Sequence, residues 1–396
     1  MQGMEIPIEE KKMKYDFDRV IDRRNTNSYK WDSEKDVLPL WVADMDFETA
    51  PCVKKAIVKK AQFGIFGYSI YGEEWEQSYI SWWKRRHNFE IKREWLIFTT
   101  GIIPAISTCV RKLTTAAEKV LVQTPCYNIF FNSIVNNGRV PLESPLAFDG
   151  TNYTIDFNRL EKDLSDPQCS LMILCNPQNP TGTIWKKDEL ARIGELCKRH
   201  GVKVISDEIH CDVTVPGKSY IPFAAASDVC ASISVSCISP TKCFNIAGIN
   251  TAAVVVPDEF LRHKVWRGLN TDEVAEPNVF AIDATVAAFN DGEDWLNQLN
   301  EYIFENRKFA ADYIAQNCKG LSVINAEATY LLWVKLPDGI DGNVFAQRLK
   351  EKTGLFIIGG NEYGKTGENF VRINLACPRS ILEDAMERLK KFKLTL

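Results

Sequence analysis

The chain has 396 residues, 45% of them hydrophobic and 25% charged, with a formal net charge of −4. This ordinary globular composition argues against wholesale disorder, and the length allows two or three compact units. The mild acidity argues against nucleic-acid binding, which needs a concentrated basic face, and no run approaches the roughly 18 apolar residues of a membrane span.

Twelve cysteines are present, none in a close pair or a cluster with zinc-ligand spacing. Cys109, Cys175 and Cys237 lie inside apolar runs and read as small hydrophobes. A chain this long needs no disulfide framework, which points to a reducing compartment. Residues 1–10 are partly acidic and lack an apolar core, so they do not read as a signal peptide. The expectation is a soluble, cytoplasmic protein.

In chain order, residues 1–12 read as a loose polar extension. The stretch 37–47 is apolar and then acidic, and Pro39 is unsuited to a central strand, so it reads as a buried connector. Helical spacing follows over 50–61, then an aromatic-glycine loop over 63–69, then a helix over 75–86. From Trp95 the pattern alternates. Strands are predicted at 96–100, 119–123, 170–175, 202–206, 233–238 and 251–256. Helices are predicted at 101–113 and 187–200, with another beginning at 124–127. Short apolar strands alternating with helices imply an α/β domain whose mostly parallel sheet is covered on both faces. After Asp291-Gly292 the texture changes to a helix over 295–317, a strand over 330–334, a helix over 344–352, a strand over 370–374 and a helix over 379–391. The predicted division is 1–50 as an N-terminal arm and part of a small domain, 51–291 as the large domain and 292–396 as a small α+β domain.

In open α/β sheets ligands bind beyond the carboxyl ends of the strands. Four such ends carry chemistry here: Gly101, Asn179, Asp207 and Lys242. Lys242 follows the small, β-branched run 231–238, within Ser239-Pro240-Thr241-Lys242-Cys243-Phe244-Asn245-Ile246-Ala247-Gly248. A lysine amine forms an imine with a carbonyl, and desolvation keeps it nucleophilic. Asp207 suits a protonated ring nitrogen by direct Coulomb attraction, although an aspartate after a strand also serves as an N-cap or Asx-turn residue. Asn179 is a candidate donor to a ring oxygen. Its setting, Asn176-Pro177-Gln178-Asn179-Pro180-Thr181-Gly182, is equally turn chemistry, and Asn179-Pro180 is a bond that can be cis. Asn179 precedes Asp207 by 28 positions and Asp207 precedes Lys242 by 35, room enough for a helix between successive strands.

Gly101, Ile102 and Ile103 present backbone N–H groups at a helix start, a phosphate site by geometry and dipole. Ser239 adds a hydroxyl. Tyr127 is a candidate stacking ring or a core aromatic. Tyr68, in the glycine-flanked loop, is placed to reach a neighbouring subunit. Arg372 alternates with Val371 and Ile373 on a strand, so its face can line a cleft, and a guanidinium holds a carboxylate bidentately. His210, three residues after Asp207, is a candidate neighbour of the same ring oxygen or a satisfied structural histidine.

Taken in order, these segments resemble the fold-type I pyridoxal phosphate enzymes of the aspartate aminotransferase type. Within them the chain is most similar to the MalY/PatB family of cystathionine β-lyases, which includes cystalysin-type C–S lyases. The narrower match rests on Pro39-Leu40-Trp41-Val42-Ala43-Asp44-Met45-Asp46-Phe47, on Ser206-Asp207-Glu208-Ile209-His210-Cys211-Asp212, on Lys242 to Gly248 and on Arg372-Ile373-Asn374-Leu375-Ala376-Cys377-Pro378. The resemblance implies that Lys242 is the Schiff-base lysine, Asp207 the pyridine partner, Asn179 the ring-oxygen donor and Tyr127 the stacking ring. It implies phosphate contacts from Gly101, Ile102, Ile103 and Ser239, with Tyr68 from the second subunit of a homodimer. It further implies a substrate carboxylate on Arg372 and Asn179, with the Val42 and Ala43 backbone closing over the substrate. One position departs from the broader aminotransferase pattern, which has an arginine eight residues after the lysine; here it is Asn250. The expected activity is cleavage of L-cystathionine or cysteine S-conjugates to a thiol, pyruvate and ammonia. A class I/II aminotransferase and a regulatory partner-binding protein are the alternatives.

Overall fold

The computed structural model describes residues 14–392; the extension read over residues 1–12 lies outside them. A seven-stranded sheet runs in the order Leu96–Thr99, Ala252–Val255, Ser234–Ile238, Lys203–Asp207, Cys169–Cys175, Lys119–Thr124 and Val140–Pro145. Only Ala252–Val255 runs antiparallel to its neighbours. The inner strands are buried almost throughout, as a sheet covered on both faces requires. One face packs Ile106, Val110, Ile173 and Val254 into a single cluster, and the other packs Met172, Leu174, Val204 and Leu190.

Helix Glu293–Asn317 starts directly after Gly292 and leads to a four-stranded antiparallel sheet ordered Ser322–Val323, Leu331–Lys335, Phe370–Asn374 and Ile358–Gly359. The connector at 37–47 contributes a short strand, Leu38–Pro39, which pairs in parallel with Leu355–Phe356. The N-terminal segment is thus sewn to the C-terminal part of the chain by a separate two-stranded sheet.

Two expected boundaries move. The helix anticipated from 124–127 begins at Ile129, because Cys126 N–H is drawn to Tyr363 O (3.0 Å) and holds the preceding residues in extended loop form. The strand anticipated over 233–238 starts at Ser234, one residue late, since helix Asp228–Ile233, capped by the Ser227 hydroxyl on Cys230 N–H, takes the earlier residues of the run 231–238. Strand Val140–Pro145 was not anticipated. Its two prolines lack the N–H a central ladder needs, and the strand lies at the sheet edge, where they are tolerated.

Candidate functional site

Short turns follow four strands, and their residues converge. Gly101, Ile102, Ile103, Tyr127, Asn179, Asp207, His210 and Lys242 line one cavity of about 170 Å³, together with Ala43, Thr100, Thr241 and Asn250. Lys203–Asp207 and Ser234–Ile238 are adjacent parallel strands, so Asp207 and the Lys242 loop emerge side by side at the same sheet edge.

Each side chain has a local cause. Asp207 is buried, and one of its carboxylate oxygens accepts from Ile209 N–H (3.1 Å), so the Asx-turn reading is realised alongside the cavity position. Burial pushes its pKa up to about 7, against the opposing pull of the Ile209 N–H and of the Lys242 charge. Burial lowers the Lys242 amine to about 8, with Asp44 raising it and Arg372 lowering it further. Burial thus presses both groups toward their neutral forms within one cavity.

His210 is buried and held neutral, its pKa lowered to about 3 by burial and by the cations Lys242 and Arg372; its Nδ1 has no partner. Asn179 forms a cis bond to Pro180 and its side-chain oxygen accepts from Arg372 Nη1. The Arg372 guanidinium also donates to Trp41 O at 2.9 Å and lies over the Tyr363 ring at 5.1 Å, while its Nε is buried without a partner. A carboxylate with two oxygens would satisfy such a fork. Gly101 caps helix Ile102–Leu113, whose first N–H groups lack intrahelical acceptors, and Gly101, Ile102 and Ile103 line the cavity.

Above the cavity runs a strap, residues 41–47, whose carbonyls are held one by one. Asn374 Nδ2 donates to Val42 O and Asp44 O (2.6 Å each), and Asn245 Nδ2 to Met45 O (3.0 Å) and Phe47 O (2.7 Å). Lys242 Nζ donates to Ala43 O. The strap's acids are fixed by cations: Arg23 pairs with Asp44 and Asp46, and the fully buried Lys30 with Asp46, each at 2.7 Å.

Four expected site residues stand outside the cavity lining: Arg372, which reaches it through the lining residue Asn179, and Ser239, Val42 and Tyr68. Ser239 sits behind Thr241: its hydroxyl is spent on Thr251 O and Thr241 Oγ1 (2.7 Å each), and Thr241 faces the space instead. Val42 points only its carbonyl at Asn374, so Ala43 alone of the pair lines the cavity. Tyr68 is fully exposed in this chain. Conversely, Thr100, Thr241 and Asn250 line the space, and Asn245 and Asn374 hold the strap. Asn250 was visible as a neutral replacement. The two strap asparagines sat inside segments read for other residues, and the acceptors they bind are backbone groups that leave no mark in sequence.

The family model described as aminotransferase class I and II matches residues 35–389. The chain is 37% identical to cystathionine β-lyase PatB of Bacillus subtilis over 94% of its own length and 98% of the relative. It is 34% identical to protein MalY of Escherichia coli over 95% and 98% of the two chains. Among solved structures it is similar to cystalysin from Treponema denticola, which contains pyridoxal 5'-phosphate, with a TM-score of 0.92, 31% identity and 96% and 98% coverage.

Proposed function

As the chain belongs to the class I and II aminotransferase family, we propose that it is a pyridoxal phosphate-dependent carbon–sulfur β-lyase acting on L-cystathionine or cysteine S-conjugates. The carrying observation is the pairing, at adjacent strand ends in one cavity, of a carboxyl raised to about 7 and an amine lowered to about 8. PatB and cystalysin, which match nearly end to end, support the lyase reading over the transaminase one.

The cofactor, when bound, supplies an electron sink for the charge left by α-proton removal. Asp207 would hold the ring nitrogen protonated. Lys242 would bind the aldehyde, and its free amine would be the base for the α-proton; a depressed pKa keeps part of it uncharged near neutrality. The N–H groups of Ile102 and Ile103, with the side chains of Thr241 and Asn250, would hold the phosphate. Asn179 and His210 would serve the ring oxygen, and Tyr127 would offer its ring face. Arg372, whose Nε is unpaired, would bind the substrate carboxylate from the edge of the cavity and so orient the amino acid beside Lys242. The strap keeps water from the reacting carbon.

A homodimer is supported by the exposed apolar run of Phe63, Ile65, Phe66, Tyr68 and Ile70, with Tyr68 then free to enter the partner's cavity. The twelve cysteines are all unpaired, eleven of them buried, which fits the cytoplasm. No helix among the described residues is long and apolar enough to cross a membrane.

Purified protein given L-cystathionine and no oxo acid should release pyruvate and free thiol in equal amounts. Absence of pyruvate, with amino transfer appearing only when a 2-oxo acid is added, would make the protein an aminotransferase.

A further inference from the structure

The carbonyl of Ala43 has two donors. Lys242 Nζ donates to it, and so does the Tyr330 hydroxyl at 2.9 Å. Elsewhere along residues 42–45 the strap's carbonyls are held by Asn374, Asn245 and Arg23, none of which has to change partners in the chemistry above. At Ala43 the reacting lysine is itself a tether. When it leaves to act, a carbonyl facing a buried site loses a donor, which is costly unless another remains.

Tyr330 is built to remain. It is fully buried, and Leu375 N–H donates to its carbonyl at 2.8 Å. Arg307 Nη2 donates to the carbonyls on either side, Thr329 O at 3.0 Å and Leu331 O at 2.9 Å. Its ring meets His210 edge-on, with centroids 5.9 Å apart. Burial first, and the Asp44 charge second, push its pKa well up, so the phenol keeps its proton.

We propose that Tyr330 is a positioning residue that keeps the Ala43 carbonyl, and with it the strap, in place whenever Lys242 releases that carbonyl to act on cofactor and substrate. The proposal rests on the lyase reading only in requiring Lys242 to change partners.

The test is amide hydrogen exchange of the strap in the full-length protein, with pyridoxal phosphate bound and after its removal, in wild type and Tyr330→Phe. In the loaded protein, where the Lys242 amine is occupied, the variant should exchange about fivefold faster across the strap, the equivalent of one ordinary hydrogen bond. In the stripped protein, where the lysine still holds the carbonyl, it should match wild type within about twofold. Equal acceleration in both states reduces Tyr330 to packing and overturns the proposal, as does no acceleration in either. Cofactor binding is read separately from the visible absorbance of the wild type, whose absence would bring down the functional reading itself. If Tyr330→Phe does not fold, wild type alone decides: strap exchange should change by less than about twofold on loading, and a larger deprotection overturns the handover.

Discussion

Asn179 and Arg372 stand 193 positions apart in the chain, yet the Asn179 side-chain oxygen accepts from Arg372 Nη1 at 3.3 Å. One residue follows a strand of the large sheet and the other lies on the third strand of the small one, so the contact joins the two sheets beside the cavity that Asn179 lines. Replacing Arg372 with alanine should raise KM for an amino-acid substrate about 100-fold, with a smaller fall in kcat. Arg372→Lys should recover little, because an ammonium cannot make two parallel bonds. Steady-state kinetics on both variants check this, and a KM within about threefold of wild type would remove Arg372 from carboxylate recognition.

The Lys242 amine, at about 8, is lowered chiefly by burial and pulled back up by Asp44. In cofactor-stripped protein, reductive trapping of an aldehyde on Lys242 should therefore reach half its maximal rate near pH 8 rather than near the ordinary 10.5. Asp44→Asn removes an attraction for the charged amine, so the midpoint should move down. A midpoint that moves up would contradict the assigned electrostatics.

Asp207, at about 7, keeps its proton in the folded protein through a range where the unfolded carboxyl, at its ordinary 3.8, has lost it. The folded state then binds more protons than the unfolded one, so this group's contribution to stability declines as pH rises through that window. Cofactor-stripped wild type should lose thermal stability relative to Asp207→Asn between pH 5 and pH 8, as read by calorimetry. Glu208, also pushed up to about 7 by burial, is common to both proteins and cancels. The same substitution should lower kcat on the order of 100-fold in the loaded enzyme, through loss of a preorganised charge. A variant that instead loses more stability than wild type toward pH 8 would refute the raised carboxyl.

Lys30 has no exposed side-chain surface and pairs with Asp46 at 2.7 Å. Lys30→Met leaves Asp46 buried with Arg23 and the Trp31 indole N–H (2.8 Å). Removing one member of a buried pair should cost roughly 3 kcal/mol of stability, measured by urea unfolding. A change below about 1 kcal/mol would mean that Arg23 and Trp31 satisfy the acid without Lys30.

The large sheet and the strand-end residues were legible because they carry local signals. Short apolar strands separated by helix-length gaps place Gly101, Asn179, Asp207 and Lys242 at one edge, and all four line the cavity. What escaped depends on distant backbone. Asn374 is anchored to carbonyls more than 300 positions earlier, and Asn245 to carbonyls about 200 earlier. Tyr330 sat in an apolar stretch read as strand, and nothing in its neighbours announces that its hydroxyl points at Ala43. Ser239 was legible as a hydroxyl near the lysine, but the competition of Thr251 O for that hydroxyl is set by chain packing alone.

The tethering of residues 42 and 44 by Asn374 makes the cover of the cleft a late-assembling feature in sequence terms. Asn374 ends strand Phe370–Asn374, so a polypeptide cut just before that strand would lack both hydrogen bonds and leave residues 42 and 44 untied.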